Sequence, residues 1–148
     1  MSRSTAPRAG QTELSLAAAA LCLAVSWIHV QDQGGFPGDK TPGYMATGYY
    51  LLEAAGVLCA ALLLTGVARR RQSALTWLLA AAVALGPLLG YLLSRGPGLP
   101  GYDDDRGNWT EPLGLISLAV EGVLLVLALV GLRTTARTAA PGRRRRHG

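Results

Sequence analysis

Residues 113–132 read LGLISLAVEGVLLVLALVGL, a run in which Glu121 is the only ionisable side chain. A helix rises about 1.5 Å per residue, so a run of about 20 residues crosses a hydrocarbon core of about 30 Å. Only helices and closed barrels satisfy their backbone polar groups in lipid, and this run lacks the alternating pattern of barrel strands. The stretch therefore predicts a transmembrane helix.

Three further apolar runs lie upstream of this stretch. They cover residues 12–30, 44–68 and 73–94. Loops rich in glycine and proline follow the first and third runs, at residues 31–43 and 95–112. The sequence thus predicts an all-α membrane protein, a four-transmembrane-helix bundle made of two hairpins. Residues 1–11 form its N-terminal tail, and residues 133–148, which are rich in arginine, form a basic C-terminal tail.

The first run also has features of a signal peptide. Arg3 and Arg8 precede an apolar stretch, as in a positively charged leader. The apolar run continues through Trp27 and Ile28, however, and lacks a clean A-x-A cleavage site. We therefore interpret it as a retained helix.

The basic residues predict the orientation of the bundle. Half of the 148 residues are hydrophobic, and 14 basic residues outnumber 9 acidic ones. If the N-terminus and C-terminus are cytoplasmic, eleven basic residues lie inside and only Lys40, Arg95 and Arg106 lie outside. The basic run at residues 143–146 then suits anionic lipid headgroups better than nucleic acid. We expect a multi-pass protein of the bacterial inner membrane, with the lipid bilayer as partner and no nucleic acid.

Glu53 and Glu121 are the main candidates for function. They lie in similar segments, LLEAAGVL and LAVEGVLL, near the middle of the second and fourth runs. A charge at that depth costs at least about 2.5–3.5 kcal/mol, so we expect carboxyls that are protonated or share a proton or cation. The alternative is a structural role, with each carboxyl bonded to a neighbouring helix or, for Glu121, to Ser117 one turn away.

Other polar residues give weaker signals. His29 could titrate or bind a metal near the outer end of the first run, but it has no second ligand in sequence and is typical of an interfacial residue. Asp103–Asp105 could hold a divalent cation or form a solvated turn. Cys22 and Cys59 are expected to be packing residues. We therefore predict no metal site and no cofactor.

The outer side of the bundle is rich in aromatic residues, which suggests an ordered cap formed by the two loops. Small residues predict close helix contacts at Gly56 in the second run and at Gly86 and Gly90 in the third. Thr110 is predicted to cap the fourth helix, with Glu111 in its first turn.

The stretch RGPGLPG at residues 95–101, followed by WTEPLG at residues 109–114 and by Glu121-Gly122, resembles an uncharacterised actinobacterial family of small four-span membrane proteins. In that family a G-L-P-G loop precedes a W-x-E-P-L-G start of the last helix. The resemblance implies a four-helix membrane protein and carries no activity. Arg95 and Trp109, together with His29, are secondary site candidates.

The sequence contains no G-x-S-x-G, Walker, HExxH or dinucleotide-binding motif, so we predict no enzymatic activity. The favoured function is a partner subunit of a membrane complex, or a binding module that works through its outer cap. The alternative is a small proton- or cation-coupled transporter that uses Glu53 and Glu121 as a pair and works as a homo-oligomer. A third possibility is a lipid- or quinone-binding redox accessory.

Overall fold

The computed structural model describes residues 6–139, and side chains from 9 to 138. It has four helices: α1 at Ala6–Asp32, α2 at Gly43–Ala68, α3 at Ala74–Arg95 and α4 at Pro112–Ala139. Each helix is long and apolar enough to cross a membrane, and no strand occurs in the described part. The prediction of an all-α, four-helix membrane protein is confirmed. Helix α4 continues through Ala139, past the end of the apolar run.

The helices pack as two hairpins placed side by side. Helix α1 packs on α2 and α3 packs on α4. The hairpins meet where α1 contacts α4 and α2 contacts α3, and a smaller contact joins α1 to α3 across the centre. The core lies along this centre. Its fully buried side chains include Cys22, Cys59, Leu63, Trp77 and Leu124. Both cysteines therefore serve as packing residues between the helices, as expected.

Two glycines allow helices to approach closely at the core. A Cβ added at Gly56 would lie 2.9 Å from the Cys22 carbonyl oxygen, so α1 and α2 meet there. A Cβ added at Gly131 would lie 2.3 Å from atoms of the Trp77 ring, so the indole packs flat on α4. The prediction for Gly56 is confirmed.

The predicted contacts at Gly86 and Gly90 are wrong. Apart from its chain neighbours and the nearby backbone of α3 itself, no described atom lies within 4 Å of a Cβ built at either position. Both glycines instead line an open cavity between the helices. A small-residue spacing permits close approach but does not require it, because the partner helix decides which face it meets.

The two ends of the bundle differ in structure. We call the end that carries residues 33–42 and 96–111 the cap end, and the end that carries residues 69–73 the turn end. Gln72 donates from Nε2 to Ser15 Oγ at 3.0 Å, which places the start of α1 at the turn end. The Trp77–Gly131 contact places the last part of α4 there too. The side of the membrane that each end faces stays a prediction.

Helix starts follow their local chemistry. Ser73 caps α3 by accepting from the Leu75 amide at 3.2 Å. The prediction that Thr110 caps α4 is wrong, because Glu111 takes this role. Its two carboxylate oxygens accept from the amides of Leu113 and Gly114 at the first turn. A carboxylate also suits the positive end of the helix dipole.

Candidate functional site: a cavity beneath the cap

A cavity of about 370 Å³ lies at the cap end of the bundle, within the size range of small-molecule sites. All four helices and the second loop contribute to its lining. Its walls are mainly apolar and include Ile28, Leu52, Pro87 and Leu113. Its polar groups gather in two places, which we call the floor and the roof.

The floor of the cavity consists of Glu121, Ser117 and His29. Glu121 is only 1% exposed. Ser117 Oγ donates to Glu121 Oε1, and His29 Nε2 lies 4.0 Å from the same oxygen. Among the described side chains, nothing hydrogen-bonds Glu121 Oε2. The floor therefore contains a buried carboxyl with one oxygen that lacks a hydrogen-bond partner in the described part of the chain.

Helix α1 and helix α2 fix the orientation of His29. The Val25 carbonyl lies 2.9 Å from His29 Nδ1 and can only accept, so Nδ1 carries a proton. In the neutral ring, Nε2 is then a bare acceptor, and His29 lines the cavity. The Tyr49 ring packs 5.4 Å from the imidazole, between centroids, and the Tyr49 hydroxyl bonds Asp32. Asp32 also pairs with Lys40 at 3.4 Å, so its charge is compensated.

The roof of the cavity is organised by Arg95, the last residue of α3. Its guanidinium is almost buried and lies 4.0 Å over the ring of Tyr91. Nε donates to the Asn108 carbonyl at 3.0 Å. The two terminal nitrogens reach carboxylates of Asp105 and Glu111, each at 3.4 Å. One side chain thus ties the second loop and the start of α4 to α3.

Aromatic residues complete the roof and order the second loop. Tyr91 donates its hydroxyl to the Trp109 carbonyl at 2.7 Å, and the two rings meet edge to face. Tyr102 donates to Asp105 at 2.9 Å, and burial together with this carboxylate raises the pKa of the phenol. Tyr44 at the start of α2 donates to the Pro100 carbonyl at 2.8 Å. These contacts support the predicted cap.

The three adjacent aspartates do not form one site. Asp103 and Asp104 are exposed, whereas Asp105 turns inward to Arg95 and Tyr102. Their carboxylates therefore point different ways. This arrangement fits the solvated turn better than the cation site.

The mouth of the cavity lies between α2 and α3. The exposed lining residues Tyr44, Gly48 and Gly86 belong to these two helices. Gly86 lies nine residues before the end of α3 at Arg95, which is about 13 Å along the helix axis. Because α3 is long and apolar enough to cross a membrane, we expect a mouth at this depth to open toward lipid and to admit an amphipathic molecule from the bilayer.

The structure separates the two main candidates. Glu53 is buried, but it does not line the cavity. Its Oε1 accepts from Gln33 Nε2 at 2.7 Å, and its backbone carbonyl accepts from Ser26 at 3.0 Å. Glu121 has other partners, and no hydrogen bond or ion pair joins the two glutamates among the described residues. The expected structural bond from Ser117 to Glu121 is present.

The secondary candidates fall at the cavity or its rim. His29 and Arg95 line it, and Trp109 packs against the lining residue Tyr91. Sequence reasoning missed Asp32 and Tyr49. A spacing of three residues between His29 and Asp32 places both on one helix face and could have indicated a shared site. Nothing in the sequence pairs Tyr49 with them.

Comparison with protein-family models, with curated proteins and with solved structures found no match for this chain. The resemblance of residues 95–101 and 109–114 to an actinobacterial family stays a prediction. Those two segments nevertheless meet in space, because Arg95 contacts Glu111 and the carbonyl of Asn108.

Proposed function

We propose that this protein is a non-enzymatic binding module of the membrane, which takes a small amphipathic molecule into the cavity beneath its cap. The observation that carries the proposal is the buried Glu121, which lines an apolar-walled cavity and whose Oε2 has no hydrogen-bond partner among the described side chains. Buried polar atoms are normally hydrogen-bonded, and an unpaired one at a cavity is a natural ligand contact. The ordered roof provides the rigid support that a binding site needs.

The geometry of the floor argues against acyl transfer. In a serine hydrolase triad, the histidine lies between the serine and the carboxylate. Here Ser117 bonds Glu121 directly, and His29 uses Nδ1 for a backbone carbonyl. His29 is therefore not placed to activate the serine as it would be in such a triad.

The test is to identify what the protein carries when it is purified in native lipid. Native mass spectrometry of lipid nanodiscs should show one small molecule per chain beyond bulk lipid. Gly90→Leu adds a side chain that points into open space at the cavity, so the bound molecule should be lost while the fold persists. Gly122→Leu is the matched control, because a Cβ there also meets no described atom beyond its chain neighbours and the nearby backbone of α4, and Gly122 does not line the cavity.

Two results would contradict the proposal. One is a preparation that carries no molecule beyond bulk lipid in the wild type. The other is a bound molecule that survives Gly90→Leu as well as it survives Gly122→Leu. Circular dichroism of both variants establishes that each retains its helices.

A proton- or cation-coupled carrier is the second candidate function. Because Glu53 does not line the cavity, it cannot act there as the partner of Glu121. The pair that could exchange a proton is His29 and Glu121, 4.0 Å apart. A carrier also has to open the cavity to the turn end, where Trp77, Leu63 and Leu124 now fill the core. Proteoliposomes supplied with the co-purified compound should then dissipate a pH gradient faster with the wild type than with Glu121→Gln. Equal rates for the wild type and Glu121→Gln would contradict the carrier function and would fit binding without transport.

A further inference from the structure

We infer that the ligand of this cavity is an organic cation, an amine with an apolar body whose ammonium group binds between Glu121 and His29. The inference rests on the proposed function and specifies the ligand class of the same site. It comes from the hydrogen-bonding character of the floor, the charges of the lining and the position of the mouth.

The floor of the cavity offers acceptors and no free donor. His29 Nδ1 is occupied by the Val25 carbonyl, which leaves Nε2 as an acceptor in the neutral ring. The Ser117 hydroxyl proton is used by Glu121 Oε1, and Oε2 is unpartnered among the described side chains. An ammonium group provides up to three N–H donors in a compact head, which matches Nε2 and Oε2 together.

The charges of the lining favour a positive ligand. The described lining contains four carboxyl side chains but one guanidinium, that of Arg95. The carboxyls belong to Asp32, Asp105, Glu111 and Glu121. Arg95 already pairs with two of these carboxylates, and Lys40 outside the lining pairs with Asp32. Of these four lining carboxylates, Glu121 is the one without a Lys or Arg partner among the described residues. A carboxyl buried in an apolar site is either protonated or paired with a counter-charge, and a ligand ammonium supplies such a counter-charge.

The rest of the cavity suits an apolar body. Ile28, Leu52, Pro87 and Leu113 provide hydrocarbon walls around the floor. The mouth between α2 and α3 opens at lipid depth, so a molecule with an apolar tail reaches the floor without leaving the bilayer. A small hydrated metal ion would leave these walls without a partner, whereas an amphipathic amine covers them.

Three probes that share a phenylalkyl body and differ in the charge of the head group test the inference. We would measure binding of 4-phenylbutylamine, 4-phenylbutan-1-ol and 4-phenylbutanoate to the full chain in nanodiscs, with protein-free nanodiscs subtracted. An alkyl amine is cationic at pH 7 because its pKa is near that of lysine, about 10.4. Only the amine should bind to the wild type with saturation. Gly90→Leu should abolish its binding and Gly122→Leu should not.

The variants of the glutamates separate the roles of the two buried carboxyls. Glu121→Gln removes the charge but keeps the size, so the amine should bind about 10- to 100-fold more weakly, as expected for a charge-assisted hydrogen bond. Glu53→Gln lies outside the cavity and should leave binding unchanged. Unchanged amine binding in Glu121→Gln would overturn the assignment of the cation to this carboxyl.

The outcomes distinguish this inference from the proposed function. If the alcohol or the carboxylate binds as tightly as the amine and is lost in Gly90→Leu, the cavity is a binding site but the cation class is wrong. If no probe binds while a co-purified molecule does, the class is again wrong. If no probe binds and no molecule co-purifies, the binding function itself is refuted.

Discussion

Arg95→Met should loosen the cap without unfolding the bundle. Methionine keeps much of the length of the arginine stem and removes all of its donors. The Asn108 carbonyl would lose a donor at 3.0 Å, and the carboxylates of Asp105 and Glu111 would lose their shared cation. Residues 96–111 depend on these contacts, whereas the core around Trp77 does not.

The size of the effect follows from the exposure of the partners. The Arg95 side chain is 9% exposed, and removing one partner of a fully buried pair costs about 3–5 kcal/mol. The Asp105 and Glu111 side chains are 26% and 29% exposed, so water can rehydrate them in part. Hydrogen bonds to a charged group contribute about 1.5–3 kcal/mol each, which leaves about 2–4 kcal/mol of local stability after this discount.

Hydrogen exchange measures that local stability directly. The Gly107 amide donates to the Arg95 carbonyl at 2.9 Å and the Gly98 amide to the Leu93 carbonyl at 2.9 Å, so both report on opening of the loop. Their exchange should accelerate about 30- to 1,000-fold in Arg95→Met. The control is Arg106→Met, whose exposed pair with Asp103 at 3.7 Å should contribute about 0–1 kcal/mol. Equal acceleration in both variants, or none in Arg95→Met, would refute the clamp.

Three further predictions concern the bundle. Gly131→Leu places a side chain on the Trp77 ring and should lower the free energy of unfolding by about 1–3 kcal/mol, seen as a lower Tm in detergent, whereas Gly122→Leu should change it little. The predicted orientation can be tested with single cysteines at the exposed positions Asp104 and Arg71 in a cysteine-free background. On intact cells an impermeant reagent should label the cysteine at 104 and not the one at 71. Labelling at 71 would contradict the prediction that the turn end is cytoplasmic. Glu53→Gln should keep an acceptor for Gln33 and be nearly neutral, whereas Glu53→Leu should destabilise by about 1–3 kcal/mol; equal stability of the two variants would show that the Gln33 bond contributes nothing.

The number and course of the helices could be read from the sequence because lipid imposes a length and a hydropathy on each span. The starts of α2, α3 and α4 lie within about one residue of the predicted boundaries, since Pro42, Ser73 and Pro112 are local signals. The sequence did not predict which face each helix turns to its neighbours. The stripe of Gly86 and Gly90 was predicted to be a contact, and it lines a cavity. Facing depends on the volumes of side chains on other helices, which a single run does not contain.

The candidate site was predicted in part. Glu121 stood out because an ionisable residue in an apolar run is costly. The same rule selected Glu53, which has a hydrogen-bond partner on the loop and lies away from the cavity. The rule measures depth in the membrane, and two residues at a similar depth can have different neighbours: Glu53 contacts Gln33, whereas Glu121 contacts Ser117. His29 joined Glu121 only through the packing of α1 on α4, a contact between distant parts of the chain.

The WTEPLG stretch shows how a few residues connect the cap to the cavity. The Trp109 carbonyl accepts from Tyr91, and Glu111 both caps α4 and pairs with Arg95. Gly114 lets these groups converge, because a Cβ there would lie 2.7 Å from the Tyr91 ring and 2.8 Å from a Glu111 oxygen. Tyr91, Arg95 and Gly114 also line the cavity. The residues that order the loop are therefore the same residues that shape the roof, so loosening the cap and weakening ligand binding should be one physical event.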